Sequence, residues 1–100
     1  MASRFSTMHS GKQSLVLEEG IDYESFPAAA EKWANHLNLR VSEKTDGPSE
    51  RLWACEKEGK QYWLAFDDWF PEISLEPRDD AAASEILKIG FALGAHESKA

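Results

Sequence analysis

The sequence contains little cysteine, few histidines and no long apolar run, and each shortage excludes a class of protein. The one cysteine, Cys55, cannot form an internal disulfide, and the N-terminus has no apolar signal core, so a cytoplasmic location is expected. No apolar run is long enough for a transmembrane helix. The histidines at 9, 36 and 96 lie far apart, without metal-ligand spacing. We therefore predict neither a metal site nor a cofactor.

Basic residues are also scarce relative to acids. The chain carries 18 acidic residues against 11 lysines and arginines, a formal net charge of −7. Because phosphate groups are bound by clustered Lys and Arg, this balance argues against nucleic acids and membranes as partners. It permits a basic protein partner, although solubility alone also accounts for it. Hydrophobic residues make up 42% of the 100 residues, which suits one globular domain.

The segment 51–77 has the clearest strand pattern in the chain. The pair Glu58-Gly59 separates two apolar runs and predicts a tight hairpin, since Gly tolerates positive φ. A two-residue loop places Trp53 opposite Leu64, and side chains then alternate between the two faces of the sheet. The expected core face carries Trp53, Cys55, Tyr62, Leu64 and Phe66. A one-residue slip would exchange the faces. Cys55 on this face is expected to be a buried small hydrophobe.

Two amphipathic helices complete the pattern. Phe26, Ala30, Trp33 and Leu37 form one stripe of the first helix. The second begins at Asp79 or Asp80 and ends near Gly94, with Gly90 inside it marking close packing. With alternating strands at 14–19 and 39–44, and a short strand at 72–76 after a turn around Pro71, the predicted order is β-α-β-β-β-β-α.

This order predicts an α+β two-layer sandwich. We expect a mainly antiparallel sheet of four to five strands, with both helices on one face and the other face open. The domain is expected to span 14–95, with a flexible leader at 1–13 and a frayed tail at 96–100. The open face would hold Trp63 among alanines, so its indole marks either a homodimer contact or a partner site, unless the leader covers it.

One acidic run is the main candidate for function. Seven acids between 67 and 85 are interrupted only by Arg78, and Trp69 and Phe70 lie among them. The spacing is not that of a calcium loop, and no catalytic motif is present. A solvated face with a helix cap accounts for the run, and a docking surface for a basic protein is the alternative. Trp69 and Phe70 are expected to plug the edge of the core, or else to belong to that docking surface. The candidate binding residues are Trp63, Asp67, Asp68, Trp69, Phe70, Glu72 and Glu76.

The residues Tyr62-Trp63-Leu64, the segment Ile73–Pro77 and a terminal helix resemble small bacterial proteins classed as domains of unknown function. That resemblance covers about half the chain and implies no catalytic residues. In size and acidity the chain is also similar to bacterial immunity proteins, which neutralise basic toxin domains. We therefore expect a non-enzymatic protein-interaction module, acting as a monomer or as a homodimer through the open face. The alternative is a small-ligand-binding domain or minor enzyme, with a pocket between sheet and helices lined by Trp33, Trp53 and Tyr62.

Overall fold

The computed structural model describes residues 3–8 and 10–97, with side chains as far as residue 95. Within these residues the fold is α+β, with six antiparallel strands, a two-residue seventh strand and two helices. The sheet order is β3-β4-β5-β6-β2-β1-β7, and β7 is parallel to β1. The elements are β1 (Arg4–Thr7), β2 (Gln13–Glu19), α1 (Phe26–Leu37), β3 (Arg40–Asp46), β4 (Glu50–Lys57), β5 (Lys60–Asp67), β6 (Phe70–Pro77), α2 (Asp80–Ala92) and β7 (His96–Glu97).

The central hairpin forms in the predicted register. Glu58 and Gly59 have φ values of 54° and 79°, so both loop residues are left-handed, as a tight hairpin turn between twisted strands requires. Trp53 consequently lies opposite Leu64, and Ala54 lies opposite Trp63. The assignment of the two sheet faces from the sequence is therefore confirmed.

Both helices pack on the face that carries Trp53. The Trp53 indole meets the Phe26 ring edge-on at 5.3 Å, and Leu64, Phe66 and Ile89 belong to the same hydrophobic core. The Cys55 thiol is buried and donates to the Tyr62 carbonyl oxygen at 3.7 Å. Desolvation raises the pKa of Cys55 to about 12, so the thiolate needed for nucleophilic chemistry is strongly disfavoured. The prediction that Cys55 is a core residue is confirmed.

The helices begin and end where local signals place them. Asp79 caps α2, since its Oδ1 accepts from the backbone N–H of Ala82 at 2.7 Å. Asn38, at φ 59°, ends α1 in the left-handed conformation. Gly90 marks the close packing that the sequence predicted, because a Cβ there would overlap the Phe5 ring.

The prediction of a flexible leader over 1–13 is wrong for Arg4–Thr7, which forms β1 beside β2. The reason is Phe5, whose side chain is 3% exposed and contacts Phe91 edge-on at 5.5 Å. A single apolar residue among polar neighbours does not reveal a strand, whereas its burial under α2 does. The sheet therefore has more strands than the expected four to five.

The stretch around Pro71 also differs from the prediction of a turn. Only Asp68 and Trp69 form the loop, and β6 already begins at Phe70. A register shift between Ala65 and Asp67 accommodates Pro71, which has no N–H to donate to a neighbouring strand. The Pro71 carbonyl oxygen accepts instead from the N–H groups of Gly20 and Ile21, at 2.8 and 3.0 Å.

Neither helix in the described part of the chain has the length and hydropathy needed to cross a membrane.

Candidate binding groove on the open sheet face

The sheet face opposite the helices is concave. Register shifts occur in β2, between Val16 and Glu18, and in β5, between Ala65 and Asp67. Such bulges bend strands and increase their twist. Strands β1, β2, β4, β5 and β6 consequently border a groove of about 710 Å³ on this face, which we call the acidic groove.

The acidic groove combines an apolar floor with a polar rim. Val16 and Ala65 line it and are only 2% and 7% exposed, so the floor is apolar and closely packed. Carboxylates and hydroxyls lie around them, and no lysine or arginine is present in the part of the lining that the structure describes. Its described lining consists of Ser6, Thr7, Met8, Ser10, Ser14, Val16, Glu50, Leu52, Ala65, Phe66, Asp67, Phe70, Glu72, Ser74 and Glu76.

One carboxylate of the groove is neutralised by an arginine, whereas three others have no ion pair among the described residues. Glu72 accepts from Arg4 Nη2 at 2.8 Å, and the same guanidinium donates through Nε to Glu19 at 3.1 Å. By contrast, none of the ion pairs among the described residues includes Glu50, Asp67 or Glu76. The unneutralised charge is therefore concentrated on β4, β5 and the end of β6.

Glu76 is the most perturbed of these groups. Burial raises the pKa of Glu76 above its usual value, and the negative charge of Glu50 raises it further. Removing a carboxylate from water without a cationic partner costs free energy. A bound cation would offset that cost by stabilising the ionised form of Glu76.

Two aromatic side chains stand at the lip of the groove. Trp69 is 85% exposed and Phe70 is 65% exposed, both at the turn between β5 and β6. The turn is held in place, because Asp67 Oδ1 accepts from the Trp69 N–H at 2.8 Å. The N–H of Asp68 also donates to the Ser49 carbonyl oxygen at 3.0 Å. The expectation that these aromatics plug the edge of the core is wrong.

Trp63 is less open than its alanine neighbours suggested. Its side chain is half-buried, and the Arg78 guanidinium lies over its ring at 4.2 Å from the centroid. The strand neighbours of Trp63 alone predict an exposed indole, whereas Arg78, just beyond the end of β6, covers part of the ring. Strand β1 does not supply this cover, since it lies on the far side of β2 and β6.

The structure brings four of the seven predicted site residues into one groove, namely Asp67, Phe70, Glu72 and Glu76. Asp68 and Trp69 lie at its lip, and Trp63 lies beside it opposite Glu76. Sequence reasoning missed Glu50, although the hairpin register places it directly opposite Asp67. It also missed Ser6 and Ser14, because finding them requires knowing that β1 belongs to the sheet.

Other polar clusters are explained by the fold. Glu18 Oε1 accepts from Lys32 Nζ at 2.8 Å and from the Trp33 indole at 2.9 Å, and these bonds lower the pKa of Glu18. Among the described residues, no group of His, Cys, Asp and Glu has the arrangement of a metal site.

Trp53 and Tyr62, expected to line a pocket beneath the helices, pack into the core, and the groove lies on the opposite face.

Comparisons with known proteins agree with the resemblance seen in the sequence. No curated protein and no solved structure matches the chain. One family model, described as "Protein of unknown function (DUF3630)", matches residues 4–92. The match begins at the first residue of β1 and ends at the last residue of α2, so it includes every strand that borders the acidic groove. The chain therefore belongs to the DUF3630 family.

Proposed function

We propose that this protein is a non-enzymatic protein-interaction module whose acidic groove binds a basic protein partner. The observation that carries the proposal is the unneutralised charge of Glu50, Asp67 and Glu76 beside exposed aromatics. Retaining a desolvated Glu76 costs stability, and such a cost is typical of residues kept for binding. A partner cation in the groove would offset that cost.

The composition of the lip supports the same proposal. Aromatic side chains are enriched in protein interfaces and often supply most of the binding free energy. Trp69 and Phe70 are exposed at the end of a rigid hairpin, directly beside the carboxylates. Aromatic contact area next to negative charge suits a partner that carries both apolar and cationic groups.

The test compares two variants with the same change in net charge. The groove variant is Glu50→Gln/Asp67→Asn/Glu76→Gln, and the surface variant is Glu24→Gln/Glu31→Gln/Glu43→Gln, whose residues are exposed and do not line the groove. Each is immobilised beside the parent and used to capture partners from a cell extract. Captured proteins are then identified, purified and titrated against all three.

We expect a basic protein that binds the parent and the surface variant but not the groove variant. Binding should weaken as salt rises, since exposed charges are screened over roughly 8–10 Å at 0.1–0.15 M ionic strength. A partner that binds the groove variant as well as it binds the parent would place the interaction elsewhere. In that case the acidic groove would not be the docking surface.

A small-ligand site is the second candidate, and the volume of the groove favours it. About 710 Å³ lies within the roughly 300–1,000 Å³ that is usual for small-molecule sites. Its chemistry would select amines or guanidinium compounds, because the lining carries carboxylates and hydroxyls. Thermal shift with spermidine, compared between the parent and the groove variant, tests this candidate.

A further inference from the structure

We propose that the partner enters the acidic groove as an extended segment with one arginine, whose guanidinium lies at the end formed by Glu50 and Asp67. The inference rests on the proposed function, and it specifies the part of the partner that is recognised. Three features of the groove lead to it: its depth, the uneven distribution of its charge, and the position of Phe70.

The depth of the groove excludes a flat partner surface. Its lining crosses five strands, from Ser6 on β1 to Glu50 on β4, above the buried side chains of Val16 and Ala65. A flat folded surface would rest on the rim of this hollow, whereas a narrow chain segment would enter it. The volume of about 710 Å³ is that of a site for a few side chains. An extended segment with small or branched apolar residues fits these dimensions.

The charge distribution decides where the cation lies. On the β1 side, the Arg4 guanidinium already forms ion pairs, with Glu72 Oε1 at 2.8 Å and with Glu19 Oε2 at 3.1 Å. On the other side, Glu50 and Asp67 are direct cross-strand partners, and neither belongs to an ion pair among the described residues. Like charges in directly opposite positions destabilise a strand pair. A guanidinium between them would remove this repulsion.

Phe70 favours arginine over lysine. It lies opposite Asp67 in the pairing of β5 and β6, and 65% of it is exposed. A planar guanidinium binds carboxylates through paired hydrogen bonds and also stacks on an aromatic face, which the compact ammonium of lysine does less well. The aromatic ring and the carboxylates therefore provide complementary contacts for one arginine side chain.

The experiment uses nitrogen-15 NMR of the full chain with three seven-residue peptides. One has a central arginine between valines, and the others replace that arginine by citrulline or by lysine. We expect the arginine peptide to shift backbone amides at positions 50, 67 and 70. The citrulline peptide should bind about tenfold more weakly or less, because it keeps the shape but loses the charge. The lysine peptide should be intermediate.

Matched variants and a folded probe make each outcome decisive. Glu50→Gln/Asp67→Asn should weaken the arginine peptide by about tenfold or more, whereas the charge-matched Glu24→Gln/Glu31→Gln should leave it unchanged. Equal binding of the arginine and citrulline peptides would overturn the inference. If cytochrome c, a folded basic protein, shifts the groove amides and no peptide does, the proposed function stands and the extended segment is wrong. If neither probe shifts them, both fail.

Discussion

Glu76 is a single residue whose burial and charge oppose each other. It lies in β6 between Leu75 and Pro77, both buried, so its own side chain points to the groove face. Most carboxylates of the fold are exposed or paired, whereas Glu76 is desolvated and faces the negative charge of Glu50. A residue that destabilises the free protein in this way is a direct target for measurement.

The pH dependence of Glu76→Gln tests this assignment. The folded-state pKa of Glu76 is raised, so its favourable contribution is full below the unfolded pKa of about 4.3 and is lost as pH rises through the folded pKa. Glu76→Gln should therefore have a higher melting temperature than the parent at pH 7. The difference should shrink as pH falls towards about 4, where the parent carboxyl is also neutral.

Glu18→Gln is the control, because its melting temperature should change in the opposite direction. Hydrogen bonds from Lys32 and Trp33 lower the pKa of Glu18, so its contribution is present above about pH 4.3 and is lost as pH falls through the folded pKa. Glu18→Gln should melt below the parent at pH 7, and this loss should shrink in acid. If Glu76→Gln also melts below the parent at pH 7, the assigned environment of Glu76 is incorrect.

Two tryptophans provide a second test at the residue scale. Trp53 is 2% exposed and packs on Phe26, whereas Trp69 is 85% exposed. Trp53→Ala should lower the free energy of unfolding in urea by about 3–5 kcal/mol. Trp69→Ala should change it by no more than about 0.5 kcal/mol. Comparable losses in the two variants would contradict the assignment of the sheet faces.

Among the strands and helices, β1 differs most from what the sequence predicted. It places Arg4 against Glu72, supplies Ser6 to the groove and buries Phe5 beneath α2. A strand of four residues has little intrinsic stability, so its place depends on β2 and α2. Because Phe5 lies directly against Gly90, a substitution at Gly90 measures how far β1 depends on α2.

Gly90→Ala should destabilise the protein, although Gly→Ala inside a helix ordinarily stabilises it by about 1 kcal/mol. The added Cβ would overlap the Phe5 ring, and such overpacking typically costs about 1–3 kcal/mol. Differential scanning calorimetry should show a lower melting temperature. In a Phe5→Leu background the same change should cost less, because the ring is absent. A Gly90→Ala protein that melts above the parent would mean that β1 does not pack on α2.

For the whole molecule, the uneven distribution of charge governs association. The open face could be a homodimer contact or a partner site on sequence grounds alone. The structure places three unneutralised carboxylates on that face, Glu50, Asp67 and Glu76. Two copies packed through this face would bring like charges together, which opposes association. The face is therefore better suited to a partner of opposite charge.

We accordingly expect a monomer of 11.2 kDa in sedimentation velocity at physiological salt. Raising the salt concentration screens the repulsion, so a weak dimer through this face would strengthen with salt rather than weaken. The groove variant Glu50→Gln/Asp67→Asn/Glu76→Gln is the matched control. A stable dimer of the parent that the groove variant does not alter would assign the contact to another surface.

Features that depend on neighbours along the chain could be predicted from the amino-acid sequence. The register of the central hairpin follows from Glu58 and Gly59 as its two loop residues, and the core face follows from the alternation of Trp53 and Cys55 with Ala54 and Glu56. The start of α2 follows from Asp79, whose side chain caps the helix. Such features were predictable because turn conformation, capping and side-chain alternation involve only a few consecutive residues.

Which strands form the sheet, and which charges lack an ion pair among the described residues, depends on contacts between residues far apart in the sequence. Strand β1 is recognisable only because α2 buries Phe5. Gly90, the residue of α2 that lies against its ring, is 85 positions from Phe5 in the sequence. Arg4 neutralises Glu72 across 68 positions, whereas Glu50 and Asp67, which the hairpin register aligns, belong to none of the ion pairs among the described residues. Contacts between distant residues depend on the assembled fold, since no local pattern sets the distance between groups that the chain brings together. The acidic groove therefore forms only in the folded protein.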